Sequence, residues 1–396
     1  MAANMREQVA AMPKPVSDQV AVITGASSGI GRVCAREFGA RGARVGLIAR
    51  NEEALQAAAR EIEAAGGEAL VVPLDLASGD AVEAAAAQVE QRWGRIDTWV
   101  NNAMVSVFSP ALQMTMEEFR RVTEVNYLGC VYGTMAALKR MHPRDEGAVI
   151  QVCSALAYRS IPLQSAYCGT KAAMRAFSDS VRAELLHDGS KVRISVLILP
   201  AVNTPQFDVV RSRLPRHPQP VPPIYQPEVI AEAVIYAAEH SVREMTIGGG
   251  ALKAVIAQKL VPGLLDRYLA KTGYDSQQTQ APVEPGRPDN LFAPPPRDMG
   301  GHGEFDARAR SRSLQLWLRM HPRLLAGAAA GLAVAAGLAR GLHAGLPWSV
   351  IPEASTSPRP PKSTPIRSSP FADSAARGSK AISRRLAIPT ASTSLK

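Results

Sequence analysis

A doubly wound α/β domain with a parallel sheet, followed by a basic and largely irregular C-terminal extension, is the fold this sequence predicts, and three observations predict it. Short apolar runs without polar alternation recur between longer segments rich in helix formers, as expected of strands buried on both faces by covering helices. A glycine-rich turn follows the first of these runs and opens a helical segment, giving the order strand, tight turn, helix. Charge divides the chain: residues 1–275 hold 29 Lys and Arg against 28 Asp and Glu, while residues 276–396 hold 16 against 7. The basic character therefore belongs to a tail, and nucleic acid is not an expected partner.

The whole chain of 396 residues is 46% hydrophobic and 20% charged, which excludes a wholly disordered, collagen-like or disulfide-stapled protein. The N-terminal arm, residues 1–15, lacks the run of about 7 to 15 apolar residues that a secretory signal needs. Cys34, Cys130, Cys153 and Cys168 form no CxxC pair and lie beside no histidine cluster. They read as small buried hydrophobes in a reducing, cytoplasmic setting, with no metal site.

In order along the chain, strands are expected at 20–24, 44–49, 69–74, 98–101, 148–153 and 192–199, each a short apolar run. The segment 51–67 is helical and ends at a glycine pair, and 115–141 reads as one long helix. The 24 residues from Pro205 to Glu228 contain seven prolines, so they read as an ordered loop covering a cleft. A helix over 228–240, a last strand at 245–247 and a helix through Leu269 close a single domain, 16–275. Residues 276–323 read as a Pro/Gly/Arg-rich surface wrap or linker, and 349–396 as a disordered basic tail. Between them lies an Ala/Gly-rich segment, 324–348, whose first sixteen residues carry no charge. A sixteen-residue helix spans about 24 Å, short of the roughly 30 Å hydrocarbon core. A weakly packed helix or coil is the preferred reading, with membrane contact through 324–348 as its alternative.

The turn Thr24-Gly25-Ala26-Ser27-Ser28-Gly29-Ile30-Gly31 carries chemistry. Its glycines let backbone N–H groups approach a pyrophosphate at a helix N-terminus, where the dipole favours anions. The second strand ends at Arg50, nineteen residues after Gly31. A carboxylate there suits the ribose 2′-hydroxyl of NAD, whereas an arginine suits the 2′-phosphate of NADP. Arg32 adds a second cation nearby, so NADP is expected ahead of NAD; the plain alternative is that Arg50 is a solvated charge.

Tyr167 and Lys171 are four residues apart in a helical segment and share one face. A phenol is a poor acid or base at neutral pH unless its anion is stabilised, and an adjacent ammonium does that. Ser154 follows the strand 148–153, at the carboxyl edge where such sheets place ligands. Asn126 carries an amide poorly suited to a helix interior and can order a water leading to Lys171. Taken singly, these residues would be a surface pair, a helix cap and a local backbone bonder.

The glycine turn, Asp75-Leu76 after the third strand, Asn101-Asn102-Ala103, Asn126, Ser154 and the Tyr167/Lys171 pair together resemble the short-chain dehydrogenase/reductase family, over residues 16–250. The resemblance implies a Rossmann-type domain that interconverts an alcohol and a ketone or aldehyde by hydride transfer with NAD(P). It implies that Tyr167 is the catalytic acid/base, that Ser154 polarises the carbonyl, and that Lys171 holds the nicotinamide ribose and lowers the phenol's pKa. Asn126 would carry the relay water. Asp75 and Leu76 would meet the adenine, Asn101 and Ala103 the coenzyme and central sheet, and Thr204 the carboxamide or a phosphate. A homo-oligomer is implied as well. Met104, and Leu199 with Pro200, depart from the family pattern. Val105, Val107, Phe108 and Leu156 suggest a small hydrophobic carbonyl or alcohol substrate. The competing reading is an NADP(H)-binding sensor or scaffold whose tail recruits a membrane or an acidic partner.

Overall fold

A computed structural model describes residues 14–284, 286–322 and 324. The arm before residue 14, the tail 349–396 and all but the first residue of 324–348 lie outside the described residues. Seven parallel strands form the central sheet: β1 (Val20–Thr24), β2 (Arg44–Ala49), β3 (Glu68–Pro73), β4 (Thr98–Asn101), β5 (Ala148–Ser154), β6 (Arg193–Leu199) and β7 (Glu244–Thr246). Their order is β7-β6-β5-β4-β1-β2-β3, so the direction of winding reverses beside β1 and opens a crevice at the carboxyl ends.

The strands are parallel because helices connect them. These are α1 (Gly29–Ala40), α2 (Glu52–Ala64), α3 (Gly79–Trp93), α4 (Met116–Thr123), α5 (Gly129–Met141), α6 (Ser165–His187) and α7 (Pro227–Glu239). Local chemistry starts and stops them. Asn51 caps α2 by accepting from the Ala54 N–H, Thr115 and Glu118 form a capping box on α4, and Gly94 ends α3 in the left-handed region at φ 77°. One core packs α1, α2 and α7 on one sheet face, and a second packs α3, α5 and α6 on the other. The four cysteines are buried and unpaired.

Two segments differ from expectation. Residues 115–141 are not one regular helix: a π-helical turn, Glu124–Leu128, separates α4 from α5. The wider turn carries Asn126 inward, fully buried. Nor does the packed chain end at Asp275. After α8 (Gly249–Leu260) and α9 (Pro262–Thr272), the strand Gln278–Pro282 pairs with Arg216–Pro218 inside the Pro-rich stretch. Ala309–Arg310 pairs with Ile224–Tyr225, which also pairs with Ala201–Val202. The chain then enters a short helix, α10 (Leu314–Met320).

Leu291, Phe305 and Leu316 are buried anchors of this wrap. They stand too far apart among prolines and glycines to show any periodicity. Because Leu291 is 0% exposed, Leu291→Ala is expected to cost about 2–5 kcal/mol of unfolding free energy, readable as a lowered urea midpoint. No described helix is long and apolar enough to cross a membrane.

Candidate active site

The carboxyl ends of β1, β2, β5 and β6 open onto one cleft of about 500 Å³. At one end stands the glycine turn. Gly25 and Gly29 adopt φ of +69° and +55°, a region costly for other residues. A Cβ on Gly31 would lie 2.2 Å from the Gly25 carbonyl oxygen. Ser28, the N-cap of α1, makes no side-chain cap bond; the Gly25 and Ala26 N–H groups donate to Ile48 O and the Gly29 N–H to Gly300 O, which leaves the N–H groups of Ser27, Ser28 and Ile30 for an anion such as a pyrophosphate. Gly25, Ser27, Ser28, Gly29 and Ile30 line the cleft. Thr24 and Gly31 shape it from behind: the Thr24 hydroxyl donates to Val100 O at 3.1 Å and accepts from Asn102 N at 2.9 Å and Ala103 N at 3.1 Å. Asn102 returns a side-chain bond to Thr24 O at 2.9 Å.

Beyond the turn, Arg50, Asp75, Leu76 and Ala103 line the same cleft. Arg121 grips Asp75 with its two terminal guanidinium nitrogens, at 3.1 and 2.5 Å. Burial pushes the Asp75 carboxyl up, but the Arg121 bonds and charge outweigh it and hold the group below the usual carboxylate range. Arg50 donates to the carbonyls of Asn290, at 2.5 Å, and Leu291, at 3.3 Å. Its pKa is lowered by burial and by the Arg121 charge. Arg32 does not supply the second free cation expected of it: it is buried, bonds Glu61 and Asp298, and does not line the cleft.

At the other end Ser154, Tyr167 and Lys171 face the cleft, while Thr204 lines it beside the glycine turn, where a Cβ on Gly29 would stand 3.3 Å from the Thr204 side chain. Residues 167 and 171 share one face of α6, and the Lys171 Nζ stands 5.7 Å from the Tyr167 ring centroid. That ammonium is 2% exposed and donates to Val152 O at 2.7 Å. Burial lowers its pKa. The phenol is not depressed here: burial raises the Tyr167 pKa above the ordinary tyrosine value, and the Ser154 hydroxyl pulls it only part of the way back. The reason is desolvation of both groups, with the lysine's bond directed at a carbonyl. Ser154 also caps the turn after β5, accepting from Leu156 N at 3.1 Å.

Two residues expected at the coenzyme or relay stand apart from the cleft lining. The Asn126 carboxamide accepts from Val105 N at 2.8 Å and donates to Val105 O at 2.9 Å and to the Thr170 hydroxyl at 3.3 Å. It thus clamps the segment after Met104. Asn101 is buried in a network with Trp99, Thr134, Gln151 and the Cys130 carbonyl at the sheet centre.

The rest of the wall is apolar, with Met104, Phe108, Leu156, Phe207, Val209 and Leu269 among its residues. Arg121, Asn290, Pro294, Pro295 and Met299 escaped the sequence reading. Arg121 looks like any basic residue late in a helix, and the others lie in a segment whose composition reads as linker.

The profile of the short chain dehydrogenase family matches residues 19–214. The "Uncharacterized oxidoreductase YxnA" of Bacillus subtilis (strain 168) is 37% identical over 321 residues, covering 81% of this chain and 90% of that protein. The "Fatty acyl-CoA reductase" of Acinetobacter baylyi (strain ATCC 33305 / BD413 / ADP1) is 33% identical over 224 residues, covering 56% of this chain and 73% of the relative. Among solved structures, an alcohol dehydrogenase from the archaeon Thermococcus sibiricus complexed with 5-hydroxy-NADP superposes with a TM-score of 0.51 at 31% identity, covering 58% of this chain and 95% of that one. With its sheet order, its glycine turn and a relative matched over nine-tenths of its length, the chain belongs to the short-chain dehydrogenase/reductase family of oxidoreductases.

Proposed function

We propose that this protein is an NADP-dependent oxidoreductase interconverting an apolar alcohol and the corresponding ketone or aldehyde. The observation that carries the reading is the single cleft running from the glycine turn to Ser154, Tyr167 and Lys171. A nicotinamide coenzyme, when bound, would supply or accept the hydride. The chain's residues bind, orient and move the proton. The glycine turn holds the pyrophosphate through the backbone N–H groups of Ser27, Ser28 and Ile30, those of Gly25 and Ala26 being bonded to Ile48 O, and Asp75 and Leu76 border the adenine. Ser154 donates its hydroxyl proton in a hydrogen bond to the substrate carbonyl oxygen, polarising it. Tyr167 gives its phenolic proton to that oxygen in reduction and takes it back in oxidation. Lys171 stabilises the negative charge that develops on the phenolate and orients the ribose.

Three observations support NADP. Arg50 and Arg121 bring two guanidinium groups together with Asp75 as their shared acidic neighbour, and each raises the value of an added anion. Arg50 keeps N–H groups beyond the two spent on carbonyls. The Thermococcus sibiricus neighbour was solved with an NADP derivative. A hydrogen bond to a charged group contributes about 1.5–3 kcal/mol. Arg50→Ala is therefore expected to cut the preference for NADPH over NADH by about 10- to 100-fold, read from kcat/KM with each coenzyme.

The apolar wall supports a hydrophobic substrate, and the name of the Acinetobacter relative points the same way. Purified protein, NADPH and a panel of medium- and long-chain aldehydes and ketones test the reading. Consumption of NADPH with matching alcohol formation is expected; a fully inert panel, with coenzyme bound, would contradict it.

A further inference from the structure

Residues 290–303 cross the coenzyme end of the cleft, and their attachments fall on the residues that build that end. Asn290 O and Leu291 O accept from Arg50, and Leu291 O also accepts from Arg121 Nε at 3.0 Å. Pro295 O accepts from the Asn51 side chain at 2.9 Å. The Asp298 carboxylate accepts from Arg32 at 2.5 Å, and Gly300 O accepts from the Gly29 N–H at 2.9 Å. Asn290, Pro294, Pro295 and Met299 line the cleft together with the glycine turn and Arg50. Of the five domain partners Gly29, Arg50 and Asn51 line the cleft, while Arg32 and Arg121 stand behind it; a further tether, His302 to Glu228, involves no cleft-lining residue.

One atom of this segment points to a ligand. The Asn290 Oδ1 is buried and has no hydrogen-bond partner, although its backbone N–H is held by Val209 O at 2.8 Å. A buried acceptor left unpaired is a standing cost that a donor from a bound molecule removes. The other cleft-facing groups of the segment, two proline rings and a methionine, offer flat or adaptable apolar contact of the kind that covers an aromatic base.

We propose that residues 290–303 form a strap that closes over the adenosine portion of the coenzyme, the Asn290 side chain turning so that its Oδ1 accepts a hydrogen bond from an N–H or O–H of that portion. The inference rests on the NADP-dependent reading above. The strap is then part of the coenzyme site, and coenzyme exchange requires it to lift. Its polar tethers are side-chain donors and one backbone N–H of the domain bonded to strap carbonyls and to one carboxylate, together with His302 on Glu228; the buried Leu291 stays seated as the pivot, so lifting of the residues after it breaks contacts that water can replace and leaves the core intact.

Hydrogen–deuterium exchange of the full-length protein with and without NADPH, paired with stopped-flow release of NADPH, tests this. Amides 290–303 are expected to exchange at least about tenfold more slowly with NADPH bound. Asn290→Ala is expected to weaken NADPH binding by about five- to tenfold, the loss of one neutral hydrogen bond. Asp298→Ala removes the Arg32 tether without altering a cleft-lining side chain, and is expected to speed NADPH release at least about fivefold. Wild-type NADPH binding with unchanged strap exchange and unchanged release in both variants would overturn the strap while leaving the oxidoreductase reading standing. Tighter NADPH binding by Asp298→Ala would also overturn it, because the strap would then be a competitor for the site. Failure of the wild-type chain to take up either NADPH or NADH would overturn the underlying reading itself.

Discussion

Tyr167→Phe is expected to lower kcat/KM for carbonyl reduction by about 10²- to 10⁴-fold, the span a positioned general acid contributes. NADPH affinity should change far less, because one hydroxyl is lost from a binding surface that runs the length of the cleft. On the proposed mechanism the same phenol should set the pH dependence. Burial raises its pKa in the coenzyme-free chain, so the proton is present throughout the neutral range. Reduction, which needs the protonated form, should be flat near neutrality and fall only as the pH climbs into the phenol's own range. Oxidation needs the phenolate and should rise over that same range. Steady-state rates in both directions across pH check this, and a bell centred near neutrality in the reductive direction would assign the proton to another group.

The second large effect is expected at the glycine turn. A methyl group at residue 31 would stand 2.2 Å from the Gly25 carbonyl oxygen and 2.5 Å from the Asn102 side-chain nitrogen. The first of these is main chain and cannot swing aside, so the turn must open. Gly31→Ala should cost about 1–3 kcal/mol of stability, the usual penalty of overpacking. It should also weaken NADPH binding by about 100-fold or more, since the same displacement of about 1 Å misplaces the N–H groups that meet the pyrophosphate. Calorimetric titration with NADPH measures the second effect and thermal unfolding the first. Retention of normal affinity would remove the turn from the binding site.

The central sheet was legible because its inner strands are buried on both faces: VAVIT, RVGLIA and TWVN are short apolar-centred runs, and β1, β2 and β4 coincide with them. The pairing of Tyr167 with Lys171 on one face of α6 was legible for a geometric reason, the helical repeat. Asn126 was singled out because an amide is awkward inside a helix; what could not be read was that the helix widens into a π turn there to let it clamp Val105. Arg32 was assigned to the coenzyme from its place in the chain, but its partners Glu61 and Asp298 lie 29 and 266 residues away. No local pattern reports such pairs. The strap was hidden for the same reason, since main-chain carbonyls carry no sequence identity and Pro294, Pro295 and Met299 resemble linker until they are seen against Arg50 and the glycine turn.

A crystal structure of the full-length protein with NADPH tests the central claim most directly. The account predicts the pyrophosphate against residues 25–30, the 2′-phosphate beside Arg50, and the nicotinamide next to Tyr167 and Lys171. A coenzyme bound elsewhere, or a nicotinamide out of reach of the Tyr167 hydroxyl, would contradict it.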